Sequence, residues 1–324
     1  MLKVAVIGIG NIGRHHARNY YELKKTKLVA IADLNEKLGK EVAKEYNCRY
    51  YPDYRQMLKE EKLDLISIAV PTKLHKEVAL AVIDKGINVL VEKPIAVSCA
   101  QAMAIIEAAK KKRVKLTVGH IERFNPALIK LKELIDKGRL GELKSVIIRR
   151  VGLLPPQIKD VNVVVDIGVH DIDITNYLYG KLPEKFWAVG GRALGLDKED
   201  YAEIFLKFGD RAGHISVNWI TPIKIRHLFA NGTKGYAELD FISQSLEIYD
   251  HPYKFDFDDF GDFVIKYGQS KEKEIIKVTK DEPLKAEISS FVDSIINNKR
   301  PAVTAKEATD ALKIALDVSK SISK

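Results

Sequence analysis

The segment "VVVDIGVHDIDITNY", residues 163–177, places ionisable side chains within a run of Val and Ile that is typical of a buried core. Asp166 and His170 are four residues apart, so in a helix they point the same way, and Asp173 shares that face. A histidine beside a carboxylate can act as a general base near neutral pH, and the same side chains can also ligate a cation. A third interpretation is an N-capping Asp followed by polar surface residues. The segment lacks a clear further metal ligand at the required spacing, which weighs against the cation.

A lysine follows the apolar segment "INVLVEKP", residues 87–94, which we predict to be a buried strand. Pro94 restricts the backbone directly after Lys93. A lysine held at the end of such a strand can donate a hydrogen bond to a substrate hydroxyl and polarise it. The alternative is an exposed turn lysine that pairs with Glu92 and contributes little.

A dinucleotide-binding pattern opens the chain, in "LKVAVIGIGNIGRHHARNY". An apolar strand runs into a glycine-rich turn and then into a helix. In that context Gly8 permits the tight turn, Gly10 lets the backbone approach a pyrophosphate, and Gly13 allows close packing of the helix on the strand. The N–H groups at the start of this helix, around Asn11 and Ile12, favour an anion.

A second strand, "KLVAIAD", ends in Asp33, twenty residues after Gly13. A carboxylate at that position bonds both hydroxyls of an adenine ribose. Its negative charge repels a 2′-phosphate, so the sequence favours NAD over NADP as the cofactor. The alternative for Asp33 is an ordinary turn residue at a strand end.

Strands and helices alternate through the first third of the chain, with further strands predicted in "EKLDLISIAV" (61–70) and "VKLTVGH" (114–120). This order predicts a doubly wound parallel sheet, whose ligand lies at the carboxyl ends of its strands. Polar or conformationally restrictive residues follow several of these strands. They are Pro71 and Thr72, Glu92 to Pro94, and His120.

After Asn125 and Pro126 the pattern changes to short strands separated by turns, as in "KSVIIRRVG", "AGHISVNWI" and "KGYAELDF". We predict an open, largely antiparallel sheet with the Asp166–His170 helix packed on one face. The fold class is therefore α/β followed by α+β. We expect a dinucleotide-binding Rossmann domain over residues 1–122 and a substrate-binding and oligomerisation domain over residues 123–324, with C-terminal helices able to pack back on the first. A homodimer or homotetramer is expected through the second sheet.

Composition narrows the classes of function. A chain of 324 residues with 46% hydrophobic content is long enough for about two globular domains. The net charge of +9 raises nucleic acid as a partner, but the lysines are scattered among acidic residues and no basic and aromatic stripe accompanies them. We therefore expect no nucleic acid and instead an anionic small substrate.

The sequence also favours the cytoplasm. A strand begins within three residues of the N-terminus, no apolar stretch approaches the length of a membrane span, and Cys48 and Cys99 are the only cysteines. We expect neither membrane contact nor a disulfide framework nor a cysteine-based metal site.

Together these motifs resemble the Gfo/Idh/MocA family of NAD(P)-dependent sugar and cyclitol oxidoreductases. The matching segments follow the family's order across nearly the whole chain: "GIGNIGRHHARNY", "PTKLH", "VEKPIA", "VGHIERFNP", "DIGVHDIDI" and "WITPIKIRHLFANGTKG". The resemblance implies that Lys93 lies beside nicotinamide and substrate, and that Asp166 and His170 contact the reacting hydroxyl.

In that scheme His170 takes the hydroxyl proton, Lys93 stabilises the developing alkoxide, and Asp166 bonds a substrate hydroxyl or orients the imidazole. The helix would be amphipathic, with chemistry on one face and Ile and Val packed on the other. The implied cofactor residues are Gly8, Gly10, Asn11, Ile12, Gly13, Asp33, Pro71, Thr72, His75, Glu92 and Lys93.

The segments "GHIERFNP" and "RRVGLLPPQIKDVNVVVDIGVHDID" resemble a narrower group, UDP-N-acetylglucosamine 3-dehydrogenases and related nucleotide-sugar dehydrogenases. This resemblance implies oxidation of the sugar C3 hydroxyl. Since Arg forks match phosphate oxygens, Arg123, Arg149, Arg150 and Lys159 are candidate substrate contacts. Other substrates for the same chemistry, such as myo-inositol, a free aldose or another nucleotide sugar, stay open. A dinucleotide-binding regulator without turnover is a further alternative, against which the retention of Lys93, Asp166 and His170 argues.

Overall fold

The computed structural model describes residues 1–154, 161–250 and 273–322. Their contacts divide the chain into two compact units. The first comprises Met1–Phe124 and Asp281–Ile314, and the second comprises Asn125–Lys280 and Ala315–Lys324. The predicted division into 1–122 and 123–324 follows the chain continuously, whereas the first compact unit is discontinuous and includes a C-terminal segment.

The first unit contains a six-stranded parallel sheet with the strand order β3-β2-β1-β4-β5-β6. Its strands are β1 (Leu2–Ile7), β2 (Thr26–Ala32), β3 (Arg49–Tyr51), β4 (Leu65–Ile68), β5 (Asn88–Val91) and β6 (Leu116–Val118). Strands β1, β4 and β5 are almost wholly buried, as the continuous apolar runs predict for a parallel sheet covered on both faces. The predicted Rossmann architecture is confirmed, although β3 was not predicted.

Helices accompany this sheet in the order that the alternating pattern predicts. They are α1 (Asn11–Glu22), α2 (Glu36–Glu45), α3 (Tyr54–Glu60), α4 (His75–Asp84), α5 (Cys99–Lys112) and α8 (Pro283–Ile296), while α9 (Ala305–Ile322) spans the boundary between the units. Helix α8 buries Leu284, Ile288, Phe291 and Val292 in the same apolar cluster as residues of β1 and α1. The C-terminal segment thus completes the core of the first unit.

The second unit contains an eight-stranded sheet with the order β14-β13-β12-β11-β7-β10-β9-β8. Its strands are β7 (Leu143–Val151), β8 (Lys185–Gly191), β9 (Tyr201–Phe208), β10 (Arg211–Asn218), β11 (Ile225–Gly232), β12 (Gly235–Asp240), β13 (Ser245–Asp250) and β14 (Lys273–Ile276). Only β7 and β10 pair in parallel among the described pairs. The largely antiparallel sheet is confirmed; β8 and β14 were not predicted.

Among the described residues, two helices belong wholly to the second unit, α6 (Pro126–Asp136) and α7 (Val169–Tyr179). A π-helical turn, Val164–Gly168, leads directly into α7, and both contact β10. Here the expectation of an amphipathic helix is wrong, because α7 is buried on nearly all sides: Asp171 and Asp173 are as inaccessible as Ile172 and Ile174.

Candidate functional site

The sheet of the first unit has a switch point between β1 and β4. Strands β2 and β3 lie on one side of β1, whereas β4, β5 and β6 follow on its other side. Ligands of open α/β sheets bind at the carboxyl ends of the strands at such a point. A cavity of about 470 Å³ opens here, and its lining includes Gly8, Gly10, Asp33, Pro71, Tyr54 and Arg55.

The three glycines of the turn after β1 have three different surroundings. At Gly13 a Cβ would lie 1.9 Å from the carbonyl oxygen of Gly8, so the helix approaches the turn too closely for any side chain. Gly8 has φ +89°, and a Cβ there would lie 2.7 Å from the backbone of Ala69. At Gly10 a Cβ would meet no protein atom within 4 Å. Gly8 and Gly13 are thus required by the fold, whereas Gly10 leaves open space beside the cavity.

Helix α1 begins immediately after Gly10, which has no side chain to cap it, and its first turn carries no acidic residue. Asn11 and Ile12 are exposed at this end. The first backbone N–H groups and the helix dipole therefore suit an anion. Together with the space at Gly10, this arrangement fits the pyrophosphate of a dinucleotide.

Asp33 follows β2 and lines the same cavity. Its Oδ2 accepts a hydrogen bond from the backbone N–H of Ile9 at 2.5 Å, and its Oδ1 accepts one from Asn35 at 2.7 Å. Each carboxylate oxygen can accept two hydrogen bonds, so capacity remains for ribose hydroxyls. The two interpretations of Asp33 are compatible, because the contacts that shape the turn also hold the carboxylate at the cavity wall.

The loop after β4 supplies Pro71 to the cavity wall, and Thr72 begins the 3-10 turn Thr72–Leu74. His75 is buried, with Nδ1 2.9 Å from the carbonyl oxygen of Pro94 and Nε2 2.8 Å from that of Val70. Burial lowers the pKa of His75 despite these carbonyls. These two contacts join the loop after β4 to the loop after β5, so His75 holds the two loops together.

Glu92 and Lys93 directly follow β5. The Glu92 Oε1 accepts a hydrogen bond from Nε2 of His16 on α1 at 2.8 Å, and its Oε2 accepts one from the backbone N–H of Lys93 at 3.2 Å. A Cβ at Gly119 would lie 2.9 Å from the same Oε2, so the carboxylate is held against the chain leaving β6. Lys93 is half-buried. The alternative of a solvated Glu92–Lys93 turn does not describe this environment.

Two further predicted residues lie beyond β6. His120 is 1% exposed, and Arg123 is 8% exposed with an ion pair of 3.6 Å to Glu307 on α9. Although burial raises the pKa of Glu307, its bonds to Thr304 and the charge of Arg123 outweigh that effect, and its pKa is lowered. Arg123 therefore has a structural partner within the first unit.

In the second unit the candidate catalytic pair lies at the start of α7. Asp166 is in the π-helical turn and is 7% exposed, and His170 is in the first turn of α7 and is 8% exposed. A π-helical turn inserts an extra residue and is frequent at functional sites. The predicted pair thus lies on one short helical segment with little exposure to solvent.

The two arginines of β7 point to opposite faces of the sheet, as neighbours on a strand do. Arg150 is 1% exposed, and its Nε donates to Oδ1 of Asp171 on α7 at 2.8 Å. Arg149 is exposed and therefore lies on the face away from α7. Lys159, the remaining predicted substrate contact, lies outside the described residues.

A second cavity, of about 560 Å³, lies wholly within the second unit. Its described lining contains three cationic residues, Arg150, Lys224 and Arg226, and no carboxylate. Trp219 and Leu153 provide apolar walls, and Ile167 connects it to the π-helical turn. No functional role was predicted for the residues of "WITPIKIR" (219–226), yet Trp219, Lys224 and Arg226 all come from this motif.

Within the described ranges, no three His, Cys, Asp or Glu side chains are arranged to hold a metal ion. None of the helices that the structure describes is both long enough and apolar enough to cross a membrane.

Both units contain segments that match models of known protein families. Residues 2–120 match the oxidoreductase family with an NAD-binding Rossmann fold, and residues 128–238 match the GFO/IDH/MocA C-terminal domain. The two matches cover the glycine turn, Lys93, Asp166 and His170.

Among curated proteins, the chain is similar to a UDP-N-acetylglucosamine 3-dehydrogenase from Acidithiobacillus ferrooxidans, with 28% identity over 91% of this chain and 88% of the relative. It is also similar to a myo-inositol 2-dehydrogenase from Thermotoga maritima, with 24% identity over 99% and 96% of the two chains. A solved structure of the Acidithiobacillus UDP-N-acetylglucosamine 3-dehydrogenase superposes with a TM-score of 0.86 and 27% identity, covering 99% of this chain and 97% of that one.

Proposed function

Because the chain belongs to the Gfo/Idh/MocA family and is an NAD-dependent oxidoreductase, we propose that it oxidises the C3 hydroxyl of UDP-N-acetylglucosamine or a closely related nucleotide sugar. The observation that carries this choice is the similarity to UDP-N-acetylglucosamine 3-dehydrogenase over 91% of the chain. Dehydrogenation of a cyclitol is the second candidate, favoured by the similarity to myo-inositol 2-dehydrogenase over nearly the full length.

The cavity of the second unit favours the nucleotide sugar over the cyclitol. A diphosphate carries negative charge and an inositol does not, so the cationic residues Lys224 and Arg226 suit the former. Arg150 is a third cationic residue of this lining, and its Nε donates to Asp171. The wall at Trp219 offers an aromatic surface to a base or a sugar.

In the proposed reaction each predicted catalytic residue has a defined role. NAD supplies the hydride acceptor at its nicotinamide C4. His170 accepts the proton of the substrate hydroxyl while a hydride leaves the carbon that bears this hydroxyl, and that carbon becomes a ketone. Lys93 donates a hydrogen bond to the reacting oxygen and stabilises the negative charge that develops on it. Asp166 bonds a substrate hydroxyl or orients the imidazole.

The glycine turn and Asp33 hold the cofactor in this proposal. The N-terminus of α1 binds the pyrophosphate, and Asp33 binds the adenine ribose. Thr72, His75 and Glu92 act on the loops around the cofactor, since the described contacts of the latter two are with protein atoms.

A substrate panel tests the proposal. The appearance of reduced nicotinamide is followed with UDP-N-acetylglucosamine, N-acetylglucosamine, myo-inositol and glucose. We expect the highest kcat/KM with the UDP-sugar and a primary isotope effect with deuterium at C3 alone. A higher kcat/KM with myo-inositol, or an isotope effect at another carbon, would refute the nucleotide-sugar assignment.

A charge variant tests the cavity. Replacing Lys224 or Arg226 by Met removes a charged hydrogen-bond donor to UDP. The binding free energy should weaken by about 1.5–3 kcal/mol, which raises the inhibition constant of UDP roughly 10- to 150-fold. Arg149→Met is the matched control on the opposite face of the sheet. Equal effects of all three variants would indicate that these residues act only through the overall positive charge of the protein and not through contact with UDP.

We also propose that the open face of the second sheet forms a contact between copies of this chain. Trp187 on edge strand β8 pairs directly with Phe205 on β9, and with Val189 they form an exposed apolar patch. A large exposed apolar patch is typical of an interface. Sedimentation of Trp187→Glu should show a smaller assembly than the wild type; an unchanged mass would contradict this contact.

A further inference from the structure

A buried carboxyl group in the first unit takes no part in the proposed reaction. Glu287 on α8 is 1% exposed, and neither of its carboxyl oxygens has a hydrogen-bond partner among the described residues. Its place on the helix explains this burial. Leu284, Glu287, Ile288 and Phe291 follow the i, i+3, i+4, i+7 spacing of one helical face, and the three apolar members are core residues.

An ionised carboxylate is strongly disfavoured in such surroundings, and the group therefore tends to take up a proton. Burial raises the pKa of Glu287 well above its ordinary value, and the negative charge of Glu92 raises it further. Glu92 is therefore near enough for the two carboxyl groups to influence each other.

Glu92 has the opposite tendency. Burial by itself raises its pKa, but the hydrogen bond from His16 and the charges of His16 and Lys93 outweigh burial, so the pKa of Glu92 is lowered. Among the described residues, Glu92 has hydrogen-bond donors and Glu287 has none. One proton between the two groups therefore resides on Glu287.

A chain of hydrogen bonds supports the ionised state of Glu92. Nε2 of His16 donates to this carboxylate, and its Nδ1 lies within hydrogen-bond distance of Ser67, whose Oγ is 3.0 Å away. The Ser67 oxygen can in turn accept from the hydroxyl of Tyr20 at 2.7 Å. Burial, with Glu287 nearby, raises the pKa of Tyr20 and keeps its hydroxyl neutral.

We propose that Glu287 is a positioning residue that holds the single proton of this buried carboxyl pair, so that Glu92 remains ionised beside Lys93. The ionised Glu92 accepts hydrogen bonds from His16 and from the backbone N–H of Lys93, and it supports the positive charge of the Lys93 ammonium. The effect on turnover rests on the proposed function, because it requires Lys93 to act on the substrate.

Other ionisable groups lie on the elements around Glu287. Helix α8 packs against α1 and against the 3-10 turn Ile121–Phe124, and both belong to the first unit. The ionisable groups on α1 are Arg14, His15, His16, Arg18, Tyr20, Tyr21 and Glu22, those on the 3-10 turn are Glu122 and Arg123, and Glu92 and Lys93 follow β5. Among them, Glu92 is the one whose charge shifts the pKa of Glu287.

The protonation state can be tested without substrate. The infrared spectrum of the wild type at neutral pH should contain the carbonyl band of a protonated carboxylic acid, and Glu287→Gln should lose it. Unfolding above the ordinary pKa of 4.5 should release one proton in the wild type and none from this position in the variant. Wild-type stability therefore falls as the pH rises from that value toward the folded pKa.

Two further variants complete this test. Asp293→Asn, on the same helix and paired with Lys25 at the surface, is the control and should retain both the band and the proton release. Glu287→Leu is a second neutral replacement suited to apolar surroundings, should Gln fail to fold. A wild-type protein that lacks the band and releases no proton would overturn the proposal.

Turnover tests the positioning role. Glu287→Gln preserves a neutral group of the same shape, so kcat at neutral pH should remain within about twofold of the wild type. Ionisation of Glu287 as the pH rises would add a second negative charge beside Glu92 and should lower turnover in the wild type, so the high-pH limb of the kcat profile should move to higher pH in Glu287→Gln and remain in place in Asp293→Asn.

An alkaline limb at the same pH in wild type and Glu287→Gln, or a uniform loss of kcat at every pH, would overturn the positioning role. If Lys93→Ala retained full turnover, the proposed function would fail instead, while the infrared band and the proton release would still report on the carboxyl pair.

Discussion

Replacing Gly10 or Gly13 by Ala separates the requirements of the fold from those of the cofactor. The two glycines are three residues apart, in the same turn, and each variant adds one methyl group. At Gly13 that methyl would lie 1.9 Å from the carbonyl oxygen of Gly8, whereas at Gly10 no protein atom lies within 4 Å. The same chemical change should therefore have opposite consequences.

For Gly13→Ala the backbone of α1 or of the turn must move. Overpacking costs about 1–3 kcal/mol, and a clash with backbone lies at or above the upper end of this range. At roughly 2–4 °C per kcal/mol, the melting temperature of the free protein should fall by about 6–12 °C. Scanning calorimetry without cofactor measures this loss directly.

For Gly10→Ala the free protein should keep its stability or gain slightly, because Gly10 has φ −65°, which alanine adopts readily. The methyl group now occupies the space through which a pyrophosphate would approach. A steric cost of about 1–3 kcal/mol corresponds to NAD binding weakened roughly 5- to 150-fold, measured by titration calorimetry. Wild-type NAD affinity in Gly10→Ala would refute the placement of the pyrophosphate at this turn.

The remaining predictions concern the ribose contact and the catalytic pair. Asp33→Ala should weaken NAD more than NADP in parallel titrations, because the lost carboxylate binds the ribose of NAD and repels a 2′-phosphate; an unchanged preference would contradict the contact. Lys93→Ala and His170→Ala should each lower kcat about 10²- to 10⁴-fold with little change in NAD affinity, and near-wild-type rates in both would refute their roles. The double variant should lose less than the product of the two single losses if both residues act on one hydroxyl, whereas multiplicative losses would show that they act independently.

The first unit could be predicted from local patterns because its elements are determined by neighbouring residues. A buried parallel strand appears as a continuous apolar run, and the glycine turn has a local steric cause. Strand β3 was missed because it has only three residues, too few for a pattern of its own. Strand β8 was missed although "KFWAVGG" alternates in burial, because its outer face carries Trp187 and Val189 and therefore does not appear polar.

The site residues divide in the same way. Gly13 and Asp33 act through geometry close to them along the chain, so their types and spacing predicted where they lie. The environment of Glu92 depends on His16 and Glu287, which are 76 and 195 residues away along the chain. Glu287 does leave a signal, a carboxylate at an apolar position of an otherwise regular helical stripe, but the sequence does not show what lies opposite that stripe.

The amino-acid sequence by itself determined the parallel sheet with its glycine turn, the second sheet, and the presence of Lys93, Asp166 and His170 in segments typical of catalysis. The tertiary structure decided which charges are buried and with which partners: Arg150 with Asp171, Arg123 with Glu307, and His16 with Glu92. It also decided that α7 is buried on nearly all sides. The physical reason is that periodicity reports the preference of a residue for apolar surroundings, whereas the charge state of a buried group depends on desolvation and on neighbours that only folding brings together.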